Sequence, residues 1–233
     1  MNKTALITGG ARRIGRGIAL ALAREGYNII IHFSGSGKEA KNLEKELIGF
    51  GIKAVCLRAN LLEDREISLL IDRACQIIGK NLTLLVNNAS IFEEDTIQTM
   101  TMDSWDRHMY TNLKAPTFLS QLFAKQVSKH NVDDNGEFLS NANIINIIDQ
   151  KVLNINPKFM SYTLAKSGLW SLTKLAAQAL GPDIRVNAIG PGPILKAYHQ
   201  TDDHFQKQRR ATLLGRGSDV DEICRAVIFI LSS

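Results

Sequence analysis

The sequence predicts an α/β protein of one domain, a doubly wound parallel sheet with helices on both faces, and three observations lead there. Apolar, partly β-branched runs alternate with longer segments of helical period along the chain. Strand–helix–strand repetition requires crossover connections, which are right-handed, so a parallel sheet covered on both sides is the economical arrangement. The 233 residues are 45% apolar and 6% aromatic, enough for one sizeable core, and no linker, repeat or low-complexity tract divides them.

Thr4–Ile7 is the first expected strand, followed by a helix over Ile14–Glu25 that Gly26 closes. Asn28–His32 is the next strand, and Lys38–Ile48, closed by Gly49, the next helix. Further strands are expected over Lys53–Leu57 and Leu82–Val86. A long helix from about Ser104 to Lys129 leads to a strand over Ala142–Ile148. Phe159–Leu180 is helical, closed by Gly181 and Pro182, and Ile184–Ala188 is the last strand in the series.

The charge narrows the class of ligand. The 28 Lys and Arg against 23 Asp and Glu give a formal +5, spread along the chain rather than gathered into a run. That favours small anionic ligands and argues against nucleic acid. The opening MNKTALITGG already alternates as a strand, so neither a secretory leader nor a membrane span is expected, and the expected location is the cytoplasm. Cys56, Cys75 and Cys224 sit singly in apolar segments without Cys-x-x-Cys spacing and are expected to be buried, unreactive thiols.

In a parallel sheet of this kind ligands lie beyond the carboxyl ends of the strands, so the chemistry belongs to the residues that follow each run. TGGARRIGRG follows the first strand, and Gly9, Gly15 and Gly17 fit a turn that brings amide donors and a helix N-terminus to a pyrophosphate. HFSGSGK follows the second, with no Asp or Glu to hold a ribose 2′-hydroxyl. Arg12, Arg13, Ser34 and Ser36 can receive a 2′-phosphate instead, the plainer alternative being that the arginines form a solvated helix start. NADPH is the expected cofactor.

NNASIF follows the fourth strand, Asn112 lies within the long helical segment, and Tyr162 and Lys166 stand one helical turn apart. With TG-x-x-x-x-IG from Thr8 to Gly15 and IRVNAIGPGPI from Ile184 to Ile194, these motifs resemble the short-chain dehydrogenase/reductases over nearly the whole chain. The resemblance implies a single-domain Rossmann-like fold and a homotetramer, or a dimer if the family's C-terminal tail is needed for the larger assembly. It implies cofactor contacts from Ile14, Asn60, Leu61, Asn88, Ala89, Pro191, Gly192 and Ile194 as well as from the turn residues above. Asn60 stands where many members carry Asp near the adenine. Tyr162 would be the proton donor, its pKa lowered by Lys166, which would also hold the nicotinamide ribose. Asn112 would hold a water linking Lys166 to solvent.

Thirteen residues before the tyrosine most members have Ser, and this chain has Asp149. In that respect, in the paired arginines of TGGARRIG and in NNAS-x-F from Asn87 to Phe92, it resembles the pteridine reductases, including the bacterial dihydrofolate or dihydromonapterin reductases. The resemblance implies that Phe92 stacks the pterin against the nicotinamide, that Ser90 bonds its ring, and that Arg13 approaches pyrophosphate and pterin. Plainer alternatives are core packing for Phe92 and a turn cap for Asp149.

His199, Asp202, Asp203 and His204 follow no zinc spacing and are read as part of a substrate loop, with no metal expected. Family chains run beyond the AVIFILSS seen here into a further short strand, so that strand is expected to be missing and the last one to be left as an open edge. Three functions remain: a pterin or folate reductase, a carbonyl reductase such as a 3-oxoacyl carrier protein reductase, and a non-catalytic NADPH-binding regulator. Asp149 in place of Ser favours the first.

Overall fold

The computed structural model describes residues 3–196 and 200–232. Its elements run β1 (Thr4–Ile7), α1 (Arg13–Arg24), β2 (Asn28–Phe33), α2 (Gly37–Ile48), β3 (Ala54–Arg58), α3 (Asp64–Ile78), β4 (Leu84–Asn87) and α4 (Met102–Met109). A π-helical turn over Tyr110–Lys114 joins α4 to α5 (Ala115–Gln126). A hairpin of β5 (Asn131–Val132) and β6 (Phe138–Leu139) precedes β7 (Ala142–Ile147), and α6 (Met160–Leu180), β8 (Ile184–Ile189), α7 (Asp202–Arg210) and α8 (Val220–Leu231) follow.

The main sheet has the order β3-β2-β1-β4-β7-β8 and every pairing in it is parallel. The chain winds one way from β1 through β2 to β3 and the other way from β4 through β7 to β8, so direction reverses between β1 and β4. Ile7, Ile29, Ile31 and Val86 face α1, α2 and α8. Leu6, Ile30, Leu85 and Ile144 face α3, α5 and α6. Burial on both faces explains why these strands read as continuous apolar runs. A Cβ on Gly17 would lie 2.3 Å from Val220 Cγ1, so the absence of a side chain there lets α1 and α8 pack closely. Cys224 is buried and Cys56 and Cys75 are half-buried; burial first pushes the Cys56 and Cys224 thiols up to about 11, which keeps them protonated and unreactive.

Two expectations are corrected. The single helix expected over Ser104–Lys129 is instead α4, a π turn and α5. Pro116 has no N–H to offer the Asn112 carbonyl four residues back, so an unbroken α-helical ladder is impossible there. The segment expected as loop at Asp202, Asp203 and His204 is the first turn of α7; His199 lies outside the described residues. Thr201 accepts from the His204 N–H, the two aspartates sit at the positive end, and Lys207, Arg209 and Arg210 sit at the negative end. Among the described residues no helix is long and apolar enough to cross a membrane.

His32, at the end of β2, pins the turn after β1. Its Nδ1 accepts from the Gly9 N–H at 3.1 Å, so its Nε2 carries the proton and donates to Ala59 O at 3.1 Å. Burial drives its pKa down to about 4, partly offset by the Ala59 bond. The ring is therefore neutral in the fold, and protonation is easier in the unfolded chain. Stability from this group is fully present above about pH 6.5 and drains away toward pH 4, a loss of about 3 kcal/mol. Urea unfolding of the parent and of His32→Asn, measured between about pH 7 and pH 4, is expected to show a flatter decline in the variant. Parallel declines would remove His32 from the account.

Candidate active site

The residues that follow β1 and β4 are clasped together. Thr8 Oγ1 accepts from the N–H groups of Asn88 and Ala89 at 2.9 and 3.0 Å and donates to Val86 O at 3.3 Å. Asn88 returns two bonds, Nδ2 to the carbonyls of Thr8 and Gly9 at 2.9 and 3.1 Å. The turn can lie this close only because it is glycine: Gly9 has φ +60°, and a Cβ on Gly15 would lie 2.4 Å from Gly9 O.

Beside this clasp lies an open cleft of about 420 Å³. Gly9, Arg12, Arg13, Ile14 and Gly15 line it from the turn and the start of α1, and Ser34 and Ser36 from the loop after β2. Asn60 and Leu61 line it after β3, and Asn88, Ala89 and Ser90 after β4. Pro191, Gly192 and Ile194 follow β8 and do not line this cleft; the Pro191 carbonyl takes the Gln150 N–H at 3.1 Å. Arg13 has φ +54° and its guanidinium donates to the carbonyls of Leu195 and Lys196 at 3.1 and 3.0 Å. Arg12 is exposed and, among the described residues, forms a 3.7 Å ion pair with Glu39.

A second cluster gathers where β7 ends. Asp149 Oδ1 accepts from the Lys151 N–H at 2.8 Å, capping the short turn Gln150–Val152, while Oδ2 accepts the Tyr162 hydroxyl at 2.8 Å. One carboxylate oxygen thus caps the turn and the other accepts from the phenol. Lys166, 2% exposed, donates from Nζ to Ile147 O at 2.7 Å. Burial lowers its pKa to about 8, with Asp149 pulling the other way. Asn112 holds the Ile91 backbone on both sides, Oδ1 accepting from its N–H and Nδ2 donating to its carbonyl, each at 2.9 Å.

The expected effect of Lys166 on the phenol is corrected. Burial first, then Asp149, raises the Tyr162 pKa well above that of a free phenol, and Ser90 offsets this in part. The Lys166 ammonium is directed at Ile147 O, 5.8 Å from the phenol ring centre, whereas the Asp149 oxygen is in direct contact with the hydroxyl.

Phe92 meets Tyr162 edge-on at 4.8 Å and stacks on Phe159 at 4.3 Å with 4° between the rings. Sequence reasoning did not single out Phe159, nor the buried Asp95, His108 and Ser161 beneath these rings. Residues 95, 108 and 161 form no local motif, and neither Asp95, in the polar run EEDT, nor His108, directly after Arg107, stands out in the sequence.

The family described as short chain dehydrogenase matches residues 3–207. The 3-oxoacyl-[acyl-carrier-protein] reductase FabG of Staphylococcus epidermidis is 31% identical over 235 residues, spanning 100% of this chain and 92% of that protein. FolM alternative dihydrofolate reductase 1 from Brucella canis, solved with NADP, superposes with a TM-score of 0.90 at 37% identity, covering 100% of this chain and 88% of that one. Its counterpart from Brucella suis, also with NADP, has a TM-score of 0.90 and 38% identity, with 100% and 89% covered. A family match over most of the chain and a relative similar along all of it establish that the protein belongs to the short-chain dehydrogenase family.

Proposed function

We propose that this protein is an NADPH-dependent pteridine reductase that transfers hydride to a dihydropterin or dihydrofolate. The observation that carries the reading is the 2.8 Å hydrogen bond from the Tyr162 hydroxyl to Asp149. The likeness to two FolM dihydrofolate reductases across the whole chain supports it.

The cleft fits the cofactor. The glycine turn and the N-terminus of α1 suit a pyrophosphate, and Asn60 and Leu61 suit the adenine. Arg12, loosely paired, or Arg13, which lines the cleft and also donates to the carbonyls of Leu195 and Lys196, suits a 2′-phosphate together with the hydroxyls of Ser34 and Ser36. Lys166 would hold the nicotinamide ribose, and Asn88, Ala89, Pro191, Gly192 and Ile194 would make further cofactor contacts. When bound, the reduced nicotinamide supplies the hydride.

The chain's own residues handle the proton. Reducing a ring imine adds hydride to carbon and a proton to the adjacent nitrogen. Tyr162 donates its hydroxyl proton to Asp149 in a buried setting, and that proton would go to the nitrogen. Lys166, with a pKa of about 8, would restore it, and, as the resemblance implies, Asn112 would hold a water that links Lys166 to solvent. Phe92 and Ser90 would orient the flat ring. A carbonyl reductase is the second reading, favoured by the identity with 3-oxoacyl carrier protein reductase along the chain.

The reading generates three expectations. Turnover with NADPH should exceed that with NADH, and Arg12→Ala should raise the KM for NADPH about tenfold while leaving that for NADH alone; equal use of both cofactors by the parent would sink the 2′-phosphate assignment. Asp149→Ser keeps a turn-capping side chain, so its effect isolates the carboxylate. It should slow pterin reduction by about two orders of magnitude with NADPH affinity nearly unchanged, and a parental rate would reject the role. The exposed Phe118, Leu164 and Leu175 on α5 and α6 support a homotetramer. Light scattering should report a mass about four times that of the chain, and monomer alone at micromolar concentration would contradict it.

A further inference from the structure

Helix α6 carries Tyr162 in its first turn, yet it begins without a cap of its own. The residue before it, Phe159, has φ +56°, and its side chain makes no capping hydrogen bond. For a bulky side chain that conformation is strained and persists only where the surroundings impose it. The cap comes from the segment between β4 and α4. The Asp95 carbonyl accepts from the Met160 N–H at 3.2 Å, and Asp95 Oδ1 accepts from the Ser161 N–H at 3.0 Å. Ser104 Oγ, in the first turn of α4, lies 3.2 Å from Asp95 Oδ2, so one carboxylate serves the positive ends of two helices.

The same carboxylate closes a chain of hydrogen bonds whose directions are all fixed. The Glu93 N–H can only donate, so His108 Nε2, 3.2 Å away, accepts. A neutral His108 then carries its proton on Nδ1 and gives it to Ser161 Oγ at 2.7 Å. Ser161 Oγ in turn donates to Asp95 Oδ2, which as a carboxylate oxygen only accepts. Asp95 is 3% exposed and His108 and Ser161 are fully buried, so water does not substitute for any of these bonds. The next residue after Ser161 is Tyr162, and the His108 ring meets the Tyr162 ring edge-on at 6.1 Å.

We propose that Asp95, Ser161 and His108 are positioning residues that set the place of the Tyr162 hydroxyl against Asp149 by fixing the first turn of α6. They touch neither substrate nor cofactor. Their effect passes through the backbone of residues 160–162 and the packing of the phenol ring. This inference rests on the reading of Tyr162 as the group that handles the proton. It holds for pterin and carbonyl reduction alike.

The test uses Asp95→Asn and Ser161→Ala in the full chain. Asn has the shape of Asp but turns one acceptor into a donor facing Ser161 Oγ. Ala removes the relay while leaving the backbone N–H that Asp95 caps. Both are expected to lower kcat by about tenfold on whichever of dihydrobiopterin, dihydrofolate or acetoacetyl thioester the parent reduces fastest. KM for that substrate and the Kd for NADPH should stay within about twofold, a split that general loosening of the fold would not give. Crystal structures of the parent and of Ser161→Ala need no turnover and should show the Tyr162–Asp149 separation lengthened beyond about 3.5 Å in the variant. A folded variant with parental kcat, losses that follow NADPH affinity instead of kcat, or an unchanged Tyr162–Asp149 bond would overturn the proposal. Turnover of the thioester but not of pterins would overturn the pteridine reading and leave this one standing.

Discussion

The site is organised by the clasp at which β1 and β4 part company. A parallel sheet that winds in both directions from its centre opens a gap between the two central strand ends, and here Thr8 and Asn88 close it with bonds from one side-chain oxygen and one side-chain amide. Those bonds bring the glycine turn and the NNAS segment into contact, close enough that Gly15 has no room for a methyl group. Release of the clasp would separate the two halves of the cleft and, with them, Arg12 from Ser90. The His32 bond to Gly9 serves the same turn from the other side.

From that edge outward the chemistry is arranged by burial. Tyr162 and Lys166 are at most 5% exposed, and each has one short bond that fixes its polar end: the phenol to Asp149, the ammonium to Ile147 O. Desolvation pushes the phenol toward its neutral form and lowers the ammonium's pKa to about 8. On the proposed reading the phenol gives the proton and Lys166 replaces it near neutral pH. A serine in place of Asp149 would offer a hydrogen bond but no second proton-accepting group, and this is why one carboxylate separates the pteridine reading from the carbonyl one.

Much of this was legible in the chain. The six strands of the main sheet fall within two residues of the apolar runs, because strands buried on both faces cannot hide their composition. The turn residues were equally plain, since close backbone approach leaves glycine as the only choice at position 15. Elements built by other means were missed. Helix α7 has almost no apolar periodicity and is held by Thr201 and by charges that match its dipole. The β5–β6 hairpin turns on Asp133, whose Oδ1 accepts from the N–H groups of Asn135 and Glu137, and on Gly136 at φ +85°. An Asp-Asn-Gly turn signal was present there but was overshadowed by the helical period before it. The network beneath Tyr162 was invisible for a different reason: residues 95, 108 and 161 meet only after three separate elements have packed.

The central claim is that Asp149 beside Tyr162 makes this member of the short-chain dehydrogenase family a reductase of ring imines. NADPH oxidation by the purified protein, followed in parallel with dihydrobiopterin, dihydrofolate and acetoacetyl thioester, tests it most directly. The account predicts a higher kcat/KM for one of the two pteridines than for the thioester. A thioester reduced better than either would contradict it.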